Sequence, residues 1–531
     1  MIEFSLCQWL PLEAASLFKL ISQYTINSNA LNERPFHRLC SLMRKMGAQS
    51  LWIEKVNSSN NADIDYESNY LKKFFNSHVK ITAYKFIFVR ESNAEIIKVG
   101  PQKLTYLSCS VVVNYSSGLE KNSYLLYSVV AIPKKYDFLS EKSIPLMNYY
   151  FHSFRKYDFI LNDPLLGKIN FKICGSPFFQ QNKTTSFCMQ SALATIFNNI
   201  GHNKKLILPN HINELYGVQF GKELVLDKKS TLTVIGKEGF FTKEFLFDQK
   251  ETVTLFKELS KNFGWSLSSS IYPWMESGFP GFIVFQTRSK VLHVVPIIGH
   301  TSNTDAWPPE ADIRYNREVR FHFRPVSAWV DNFIIHDDNF GMYLSYPSAK
   351  LSERKDRRGF NIDHVIFVTK DKITLPPDRL EIDLISDLRQ VFALNKNVSE
   401  EENPWLHKII NEVKAPLVSR TMVAKKTDFL KTLGQRDSNG KKITKTDIDT
   451  VGEQLPDRFW LTEVTLPDLY LANKTALISI VTQINTYRQI FIRLPRLGYL
   501  IIKNKYYRLD LPTSGHYKIY ERISDIETYD W

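Results

Sequence analysis

Cys188 lies where a polar loop becomes an apolar segment with helical spacing. The apolar residues that follow it recur along one face of a predicted helix: Met189, Leu193, Ile196 and Ile200. Hydroxyl side chains just before Cys188 can cap that helix, which puts the thiol in its first turn. Backbone N–H groups and the helix dipole favour a thiolate there. A small buried thiol is the alternative interpretation of a single cysteine.

An imidazole and a carboxylate follow on two predicted strands. His293 begins the strand Val291–His300, and Asp337 directly follows the strand Phe333–His336. A cysteine nucleophile needs an imidazole to hold the thiolate and to protonate the leaving group. The imidazole needs a carboxylate or amide that fixes its tautomer. Neighbouring strands lie about 4.8 Å apart, so they can bring His293 and Asp337 side by side.

The order of these features resembles that of papain-like cysteine peptidases, most closely the bacterial branch with bacteriocin-processing, double-glycine-type peptidase domains. The segments that support the resemblance are Gln181, Cys188 with Ala192-Leu193, Gly278-Phe279-Pro280, His293–Gly299 and Asp337–Gly341. The resemblance implies a papain-like domain with the Cys188 helix packed on an antiparallel sheet. By position it implies that Cys188 is the nucleophile, His293 the general base, Asp337 the orienting acid and Gln181 the oxyanion donor.

The sequence departs from the family pattern in ways that leave alternatives open. Gln181 lies one residue further from the cysteine than is usual, so Gln180 remains a second candidate donor. Asp338 remains a second candidate for the orienting acid. Residues 301–332 are inserted between the histidine strand and the acid strand. A loop of this length within a compact domain is usually functional, as a substrate lid or a docking hairpin.

The other histidines and the cysteines do not form a metal-binding pattern. His37, His152, His300 and His336 lack a partner at metal-ligand spacing, so we expect structural or surface roles for them. The five cysteines are far apart, odd in number and without a C-x-x-C pair: Cys7, Cys40, Cys109, Cys174 and Cys188. Neither a disulfide framework nor a zinc–thiolate site is indicated. We therefore expect no metal and no cofactor.

Composition and charge are those of a globular protein. The chain has 531 residues, of which 44% are hydrophobic and 23% charged, and this favours a globular protein of several domains. The mixture of helix-like and strand-like segments along the chain predicts an α+β fold. No window approaches the roughly 18 apolar residues of a membrane helix, and the N-terminus lacks a signal-peptide pattern, so we expect a cytoplasmic protein without membrane contact. The net charge is +13, with a local basic excess at 414–445. This excess indicates a solvated face or a contact with a polyanion or acidic partner.

Three domains are predicted: an N-terminal α+β domain (1–165), the peptidase domain (166–372) and a C-terminal α+β domain (373–531) that packs on it or recruits a partner. Within them we predict a loop at 57–65, a strand at 223–226, a helix at 252–263 and a helix at 466–481. The leading functional hypothesis is a cysteine-dependent hydrolase that cleaves a peptide or isopeptide bond in a protein or peptide substrate. The alternatives are acyl transfer by the same triad, a catalytically inactive peptidase-fold binding module, and nucleic-acid binding through 414–445.

Overall fold

The computed structural model of the chain describes the following residues: 4–8, 14–26, 30–75, 78–118, 120–133, 147–163, 167–182, 184–201, 205–217, 228–246, 267–287, 291–303, 323–349, 361–411, 417–433, 444–466, 477–503 and 505–510. The predicted strand at 223–226 and the predicted helix at 252–263 lie outside them.

The described strands are, in chain order, β1 (Phe4–Gln8), β2 (Ser50–Val56), β3 (Lys80–Val89), β4 (Tyr106–Ser117), β5 (Glu120–Ala131), β6 (Met147–Phe151), β7 (Arg155–Asp163), β8 (Gly167–Phe178), β9 (Phe241–Leu246), β10 (Gly281–Gln286), β11 (Leu292–Asn303), β12 (Phe323–Pro325), β13 (Asn332–Asp337), β14 (Gly341–Pro347), β15 (Asn361–Thr369), β16 (Leu417–Lys425), β17 (Arg458–Thr465), β18 (Ile478–Gln483), β19 (Gln489–Leu494), β20 (Leu497–Ile502) and β21 (Lys505–Asp510).

The described helices are α1 (Ala14–Ser22), α2 (Ala30–Lys45), α3 (Ala62–Phe75), α4 (Asn93–Val99), α5 (Cys188–Ile200), α6 (Pro209–Tyr216), α7 (Lys228–Lys237), α8 (Leu267–Glu276), α9 (Pro377–Leu394), α10 (Pro404–Asn411), α11 (Lys426–Leu433) and α12 (Lys445–Gln454). Among these described helices, none is long and apolar enough to cross a bilayer.

The strands form three sheets. The first has the order β1-β2-β3-β4-β5-β8-β7 and is antiparallel throughout. The second has the order β14-β13-β11-β10-β15-β9, with β6 also paired to β11, and it too is antiparallel. The third has the order β12-β16-β17-β18-β19-β20-β21, in which β12 pairs parallel to β16 and the other pairs are antiparallel.

The first sheet is buried on both faces, which explains the continuous apolar runs of β4 and β5. Val111 and Val113 point into a core that includes residues of α3, α5 and α6. Val112 points into the opposite core, where residues of α1, α2 and the second sheet meet. Because successive side chains of a strand alternate between faces, one strand joins both cores.

The third sheet packs on the second through α8. Trp274 of α8 meets Trp460 of β17 edge-on, with ring centroids 5.5 Å apart, and both indoles are buried. The backbone N–H of Val423 on β16 donates to Ser277 Oγ at 2.7 Å. Residues of α8, β10, β11, β16 and β17 therefore share one hydrophobic core.

The mixed α+β class predicted from the sequence is confirmed, and two local predictions are wrong. The segment 57–65 is not a loop throughout, because α3 begins at Ala62 with two acidic residues in its first turn, where they favour a helix. The segment 466–481 is not a helix where it is described, because Ile478–Gln483 forms β18 in the centre of the third sheet. The β-branched residues Ile478, Ile480 and Val481 suit that position.

Strand pairing crosses the predicted domain limits. β6 belongs to the N-terminal segment but pairs with β11 of the second sheet. β8 belongs to the predicted peptidase segment but completes the first sheet between β5 and β7. β12, at the end of the 301–332 insert, joins the third sheet. The three domains remain a prediction about folding units, and their sheets share segments of chain.

Arg420, one of the basic residues counted in the segment 414–445, does not face solvent. Arg420 on β16 is 2% exposed and forms ion pairs with Glu276 and Glu463. A polyanion contact at this segment stays a prediction, and Arg420 is not part of such a face.

Candidate active site

Cys188 is the first residue of α5, so its thiol lies at the helix N-terminus. The N–H groups of a first helical turn have no acceptor within the helix, and together with the helix dipole they favour an anion. The side chain of Cys188 is partly exposed, so it is accessible from solvent. The helix packs against β8 and β11, and these strands of two different sheets fix its position.

The loop before Cys188 is held by the buried side chain of Asn182. Its Oδ1 accepts hydrogen bonds from the backbone N–H groups of Thr184 (3.0 Å), Thr185 (2.7 Å) and Ser186 (2.9 Å). Its Nδ2 donates to Thr185 Oγ1 at 2.7 Å. A short polar side chain that satisfies three successive donors fixes the backbone of the loop. The helix therefore starts from a defined position.

A buried polar chain connects this loop to α3. Asn213 of α6 donates to the Thr185 carbonyl at 2.6 Å and accepts from Gln190 Nε2 at 3.0 Å. The same Asn213 amide donates to Asn210 Oδ1 at 3.1 Å. Asn210 in turn donates to both carboxylate oxygens of Glu67, at 2.9 and 2.8 Å. The position of the loop thus depends on helices far away along the chain.

His293 is the second residue of β11, and its imidazole lies beside the thiol. The ring is hydrogen-bonded to Cys188, and the Leu292 carbonyl lies 4.0 Å from Sγ. His293 Nε2 is 3.2 Å from Asp337 Oδ1 and 3.6 Å from Asp338 Oδ1. The 3.2 Å contact is a close ion pair rather than a well-aligned hydrogen bond. Because Nε2 faces the carboxylates, Nδ1 is the nitrogen left for the thiol.

Opposing influences set the pKa of His293. Burial alone lowers this pKa, because an imidazolium loses hydration in the protein. The contact with Asp337, the hydrogen bond with Cys188 and the charge of Asp338 outweigh burial and raise the pKa of His293 to about 11. The ring is therefore an imidazolium at neutral pH, the form that pairs with a thiolate.

Asp337 ends β13 at the turn into β14. The backbone N–H of Asn339 donates to Asp337 Oδ1 at 2.9 Å, which closes the turn. Gly341 ends the turn with φ +117°, a conformation that L side chains rarely adopt. A Cβ at Gly341 would also lie 2.6 Å from the Cβ of Arg38. Both constraints require glycine here.

Helix α2 of the N-terminal segment supports the same turn. Arg38 Nε donates to the Met342 carbonyl at 2.8 Å, and its Nη2 donates to the Tyr343 carbonyl. Arg34, one helical turn earlier, lies over the exposed ring of Phe340 at 4.7 Å. The turn that presents Asp337 is thus held by a helix that the sequence assigned to another domain.

Asn339 joins the acid turn to the loop before the nucleophile. Gln181 Nε2 donates to Asn339 Oδ1 at 2.6 Å, and Asn339 Nδ2 lies 3.4 Å from Asp338 Oδ1. Because a carboxylate only accepts, these contacts agree on the orientation of the Asn339 amide. Asn339 was not among the site residues predicted from the sequence. The signal for it was a side-chain amide between the acids and the turn glycine.

The alternatives that the sequence left open differ in position. Gln180 is buried, and its Oε1 accepts from the backbone N–H of Leu125 in β5 at 3.0 Å. Gln181 is partly exposed and reaches the acid turn. Asp338 lies further from His293 than Asp337 does. The geometry therefore favours Gln181 as donor and Asp337 as acid, while both roles remain predictions.

The remaining residues that the sequence singled out lie elsewhere. His336 is buried beside the rings of Phe178 and Tyr343, and burial lowers the pKa of His336 to about 3. Cys174 lies within β8 and is partly exposed. The side chain of His37 is 55% exposed, so its surface position agrees with expectation.

Two groups of described residues bring possible metal ligands within 4.8 Å of one another. One is His293 with Asp337 and Asp338, at the site itself. The other is His152 with Glu276 and His300, in the interior. The sequence brought His293 and Asp337 together as a catalytic pair but predicted no metal there, and it did not predict the group of His152, Glu276 and His300, which come from separate elements.

Comparisons with known proteins add little to this geometry. No family model matches the chain, and no curated protein matches it. Among solved structures, the peptidase domain of Streptococcus ComA, a bi-functional ABC transporter involved in a quorum sensing pathway, is similar to 36% of this chain at 12% identity. The match covers 96% of that domain with a TM-score of 0.20, which is too low to support an argument about fold or activity.

Proposed function

We propose that this chain is a cysteine-dependent hydrolase that cleaves a peptide or isopeptide bond within a papain-like domain. The observation that supports this most is the position of His293. Its ring is hydrogen-bonded to the Cys188 thiol on one side and lies 3.2 Å from Asp337 on the other. An imidazole between a thiol and a carboxylate is the arrangement that thiol hydrolases require.

In the proposed reaction, the Cys188 thiolate attacks the carbonyl carbon and forms a C–S bond, while the carbonyl oxygen becomes an oxyanion. The His293 imidazolium gives its Nδ1 proton to the nitrogen of the scissile bond, and the amine leaves as the C–N bond breaks. A water molecule then attacks the thioester, and neutral His293 accepts its proton. The acid product leaves, and the thiolate–imidazolium pair is restored. Asp337 orients the ring throughout and stabilises it in the steps where it is charged.

The oxyanion would be stabilised by two donors. The backbone N–H of Cys188 is the first donor of α5 and has no acceptor within the helix. Gln181 uses one hydrogen of its amide for Asn339, and its second hydrogen remains for the oxyanion. Removal of one such donor usually lowers kcat by about 100- to 1000-fold. Since the mechanism needs a reduced thiol, a cytosolic location is part of this proposal.

The direct test is labelling of the intact chain by a peptide-like electrophile, followed by mapping of the modified residue. We expect label on Cys188, its loss in Cys188→Ala, and much slower labelling in His293→Ala. Cys174→Ala is the matched control, because it removes another partly exposed thiol and should label like the parent. Equal labelling of Cys188→Ala and parent would reject the proposal.

A second measurement separates hydrolysis from other uses of the same residues. Peptide libraries are incubated with the parent, with and without an added primary amine, and the products are identified by mass spectrometry. Free carboxylate products support a hydrolase. Amide products that form only with the amine would instead indicate acyl transfer. A labelled but otherwise inert protein would indicate a binding module.

A further inference from the structure

A buried cluster of three side chains lies where the second sheet, α8 and the third sheet meet. His152 follows β6, Glu276 ends α8, and His300 lies near the far end of β11. They are 4%, 4% and 2% exposed, respectively. Seven residues of strand separate His300 from His293, roughly 23 Å, so the cluster is distinct from the candidate active site.

Both imidazoles point at the same carboxylate oxygen. His152 Nε2 lies 3.2 Å from Glu276 Oε2, and His300 Nε2 also lies 3.2 Å from Oε2. The three ligand atoms all fall within 4.8 Å of one another. The β6–β11 pairing holds His152 next to His300, with their rings stacked at 5.1 Å.

The hydrogen bonding of His300 indicates that a cation lies between its Nε2 and Glu276 Oε2. Its Nδ1 lies 3.2 Å from the Thr301 carbonyl, and a carbonyl only accepts, so Nδ1 carries the hydrogen. In a neutral ring the Nε2 lone pair then faces the lone pairs of Glu276 Oε2. Two acceptors at 3.2 Å require a cation between them, which is either a proton or a metal ion.

The surroundings resemble the outer layer of a metal site. Metal-bound histidines usually give their second N–H to a backbone carbonyl, as His300 does to Thr301, and bound carboxylates are themselves hydrogen-bonded. Here Arg420 Nη2 binds the other oxygen of Glu276 at 2.6 Å. Ligand atoms around tetrahedral zinc lie about 3.3 Å apart, since zinc–nitrogen bonds are about 2.0–2.1 Å. The 3.2 Å separations need little adjustment.

The carboxylate of the cluster is shared with a buried arginine. Arg420 pairs with both Glu276 and Glu463, so two carboxylates face one guanidinium. Imidazole nitrogens and carboxylate oxygens are both ligand types that bind zinc.

We propose that His152, Glu276 and His300 bind a divalent transition-metal ion, zinc by preference, where β6, β11 and the end of α8 meet. The ion joins β6 and β11 of the second sheet to the end of α8. Arg420 extends the connection to β16 of the third sheet through the same carboxylate. Because the ligands are buried, the role of the metal is structural, and the proposal does not depend on the proposed hydrolase activity.

The test is the metal content of the intact protein, measured by mass spectrometry of the elements after gel filtration. The parent should retain close to one zinc per chain, and His300→Gln should lose it. His293→Gln is the first control, because it disrupts the other group of ligands and should keep its zinc. His364→Gln is the second control, because His364 is equally buried on a strand but belongs to neither group.

A second readout does not depend on how well a variant folds. Cobalt that replaces zinc in the parent should give visible absorption of tetrahedral nitrogen and oxygen coordination, and a chelator should lower the Tm of the parent by about 5 °C or more. A metal-free parent whose Tm does not respond to added zinc at neutral pH would overturn the proposal in favour of a shared proton. Loss of zinc in His293→Gln, with retention in His300→Gln, would overturn it by moving the metal to the thiol site.

Discussion

The charge of Asp337 should determine up to which pH His293 stays protonated. The displacement of the His293 pKa from 6.5 to about 11 corresponds to roughly 6 kcal/mol. Coulomb's law with an effective dielectric constant of about 20 gives on the order of 5 kcal/mol for each carboxylate, at 3.2 and 3.6 Å. The two carboxylates share the effect with the hydrogen bond to Cys188, and Asp337 contributes both a hydrogen bond and a charge. Asp337→Asn should remove roughly half of it and lower the pKa by about two pH units.

The assay is the rate at which iodoacetate alkylates Cys188 as a function of pH. Iodoacetate is an anion that the imidazolium attracts, so its rate should fall where His293 loses its proton. The parent should stay reactive up to nearly pH 11, whereas Asp337→Asn should lose reactivity about two pH units lower. Neutral iodoacetamide is the control reagent, since it depends on the thiolate alone. Asp363→Asn, which removes a carboxylate beside His364, should match the parent.

Two results would contradict this reasoning. If the alkylation rate of Asp337→Asn falls at the same high pH as that of the parent, Asp337 does not stabilise the imidazolium. A larger displacement in Asp338→Asn than in Asp337→Asn would transfer the orienting role to Asp338, despite its longer distance from Nε2.

Three further predictions concern stability. Asn182→Ala leaves three backbone donors without their acceptor and should lower the free energy of unfolding by about 3 kcal/mol in chemical denaturation. Asn182→Asp keeps the acceptor oxygen and should recover most of this loss. Equal losses in the two variants would contradict the role of the acceptor. Gly341→Ala should lower the free energy of unfolding by at least about 2 kcal/mol, because φ is +117° and Arg38 blocks the added Cβ. Gly118→Ala, at φ +58° with open space around the Cβ, should lower it by about 1 kcal/mol. Equal losses would contradict the steric argument. The pKa of His293 in the folded protein lies above its value in the unfolded chain, so its stabilising contribution is complete below about pH 6.5 and is lost as the pH rises to about 11. The difference in Tm between the parent and His293→Gln should therefore shrink between these two pH values. A constant difference would exclude the linkage.

The start of the Cys188 helix could be anticipated because its signal is local. The helical spacing after Cys188 comes from adjacent residues, and α5 begins at Cys188. The expected capping by a hydroxyl side chain was wrong, because the N-cap is Phe187 and makes no side-chain cap hydrogen bond. His293 and Asp337 could be placed on strands by their apolar neighbours, and β11 does pair with β13. Distances cannot be inferred from sequence, however, so only the structure distinguishes Asp337 at 3.2 Å from Asp338 at 3.6 Å.

What the sequence did not reveal depends on contacts between distant segments. His152 meets His300 because β6 pairs with β11, and no spacing along the chain indicates that pairing. Arg420 was counted with a solvated basic segment, since an arginine is normally exposed, but two buried carboxylates hold it inside. Asn339 joins Gln181 to the acid turn through side chains whose orientation only the fold determines.

The exchange of strands between the first two sheets has a practical consequence for anyone who expresses part of this protein. A fragment that stops at residue 165 lacks β8, so β5 and β7 lose their common neighbour and present open edges, which promote aggregation. A fragment that starts at 166 lacks Arg38, which donates hydrogen bonds to the turn after Asp337, and Glu67, which accepts from Asn210 in the polar chain behind the cysteine loop. Truncation should therefore yield insoluble material, or material that does not react with the thiol label, even if Cys188, His293 and Asp337 are retained. Refolding the two fragments together is the route by which separately made pieces could regain that labelling.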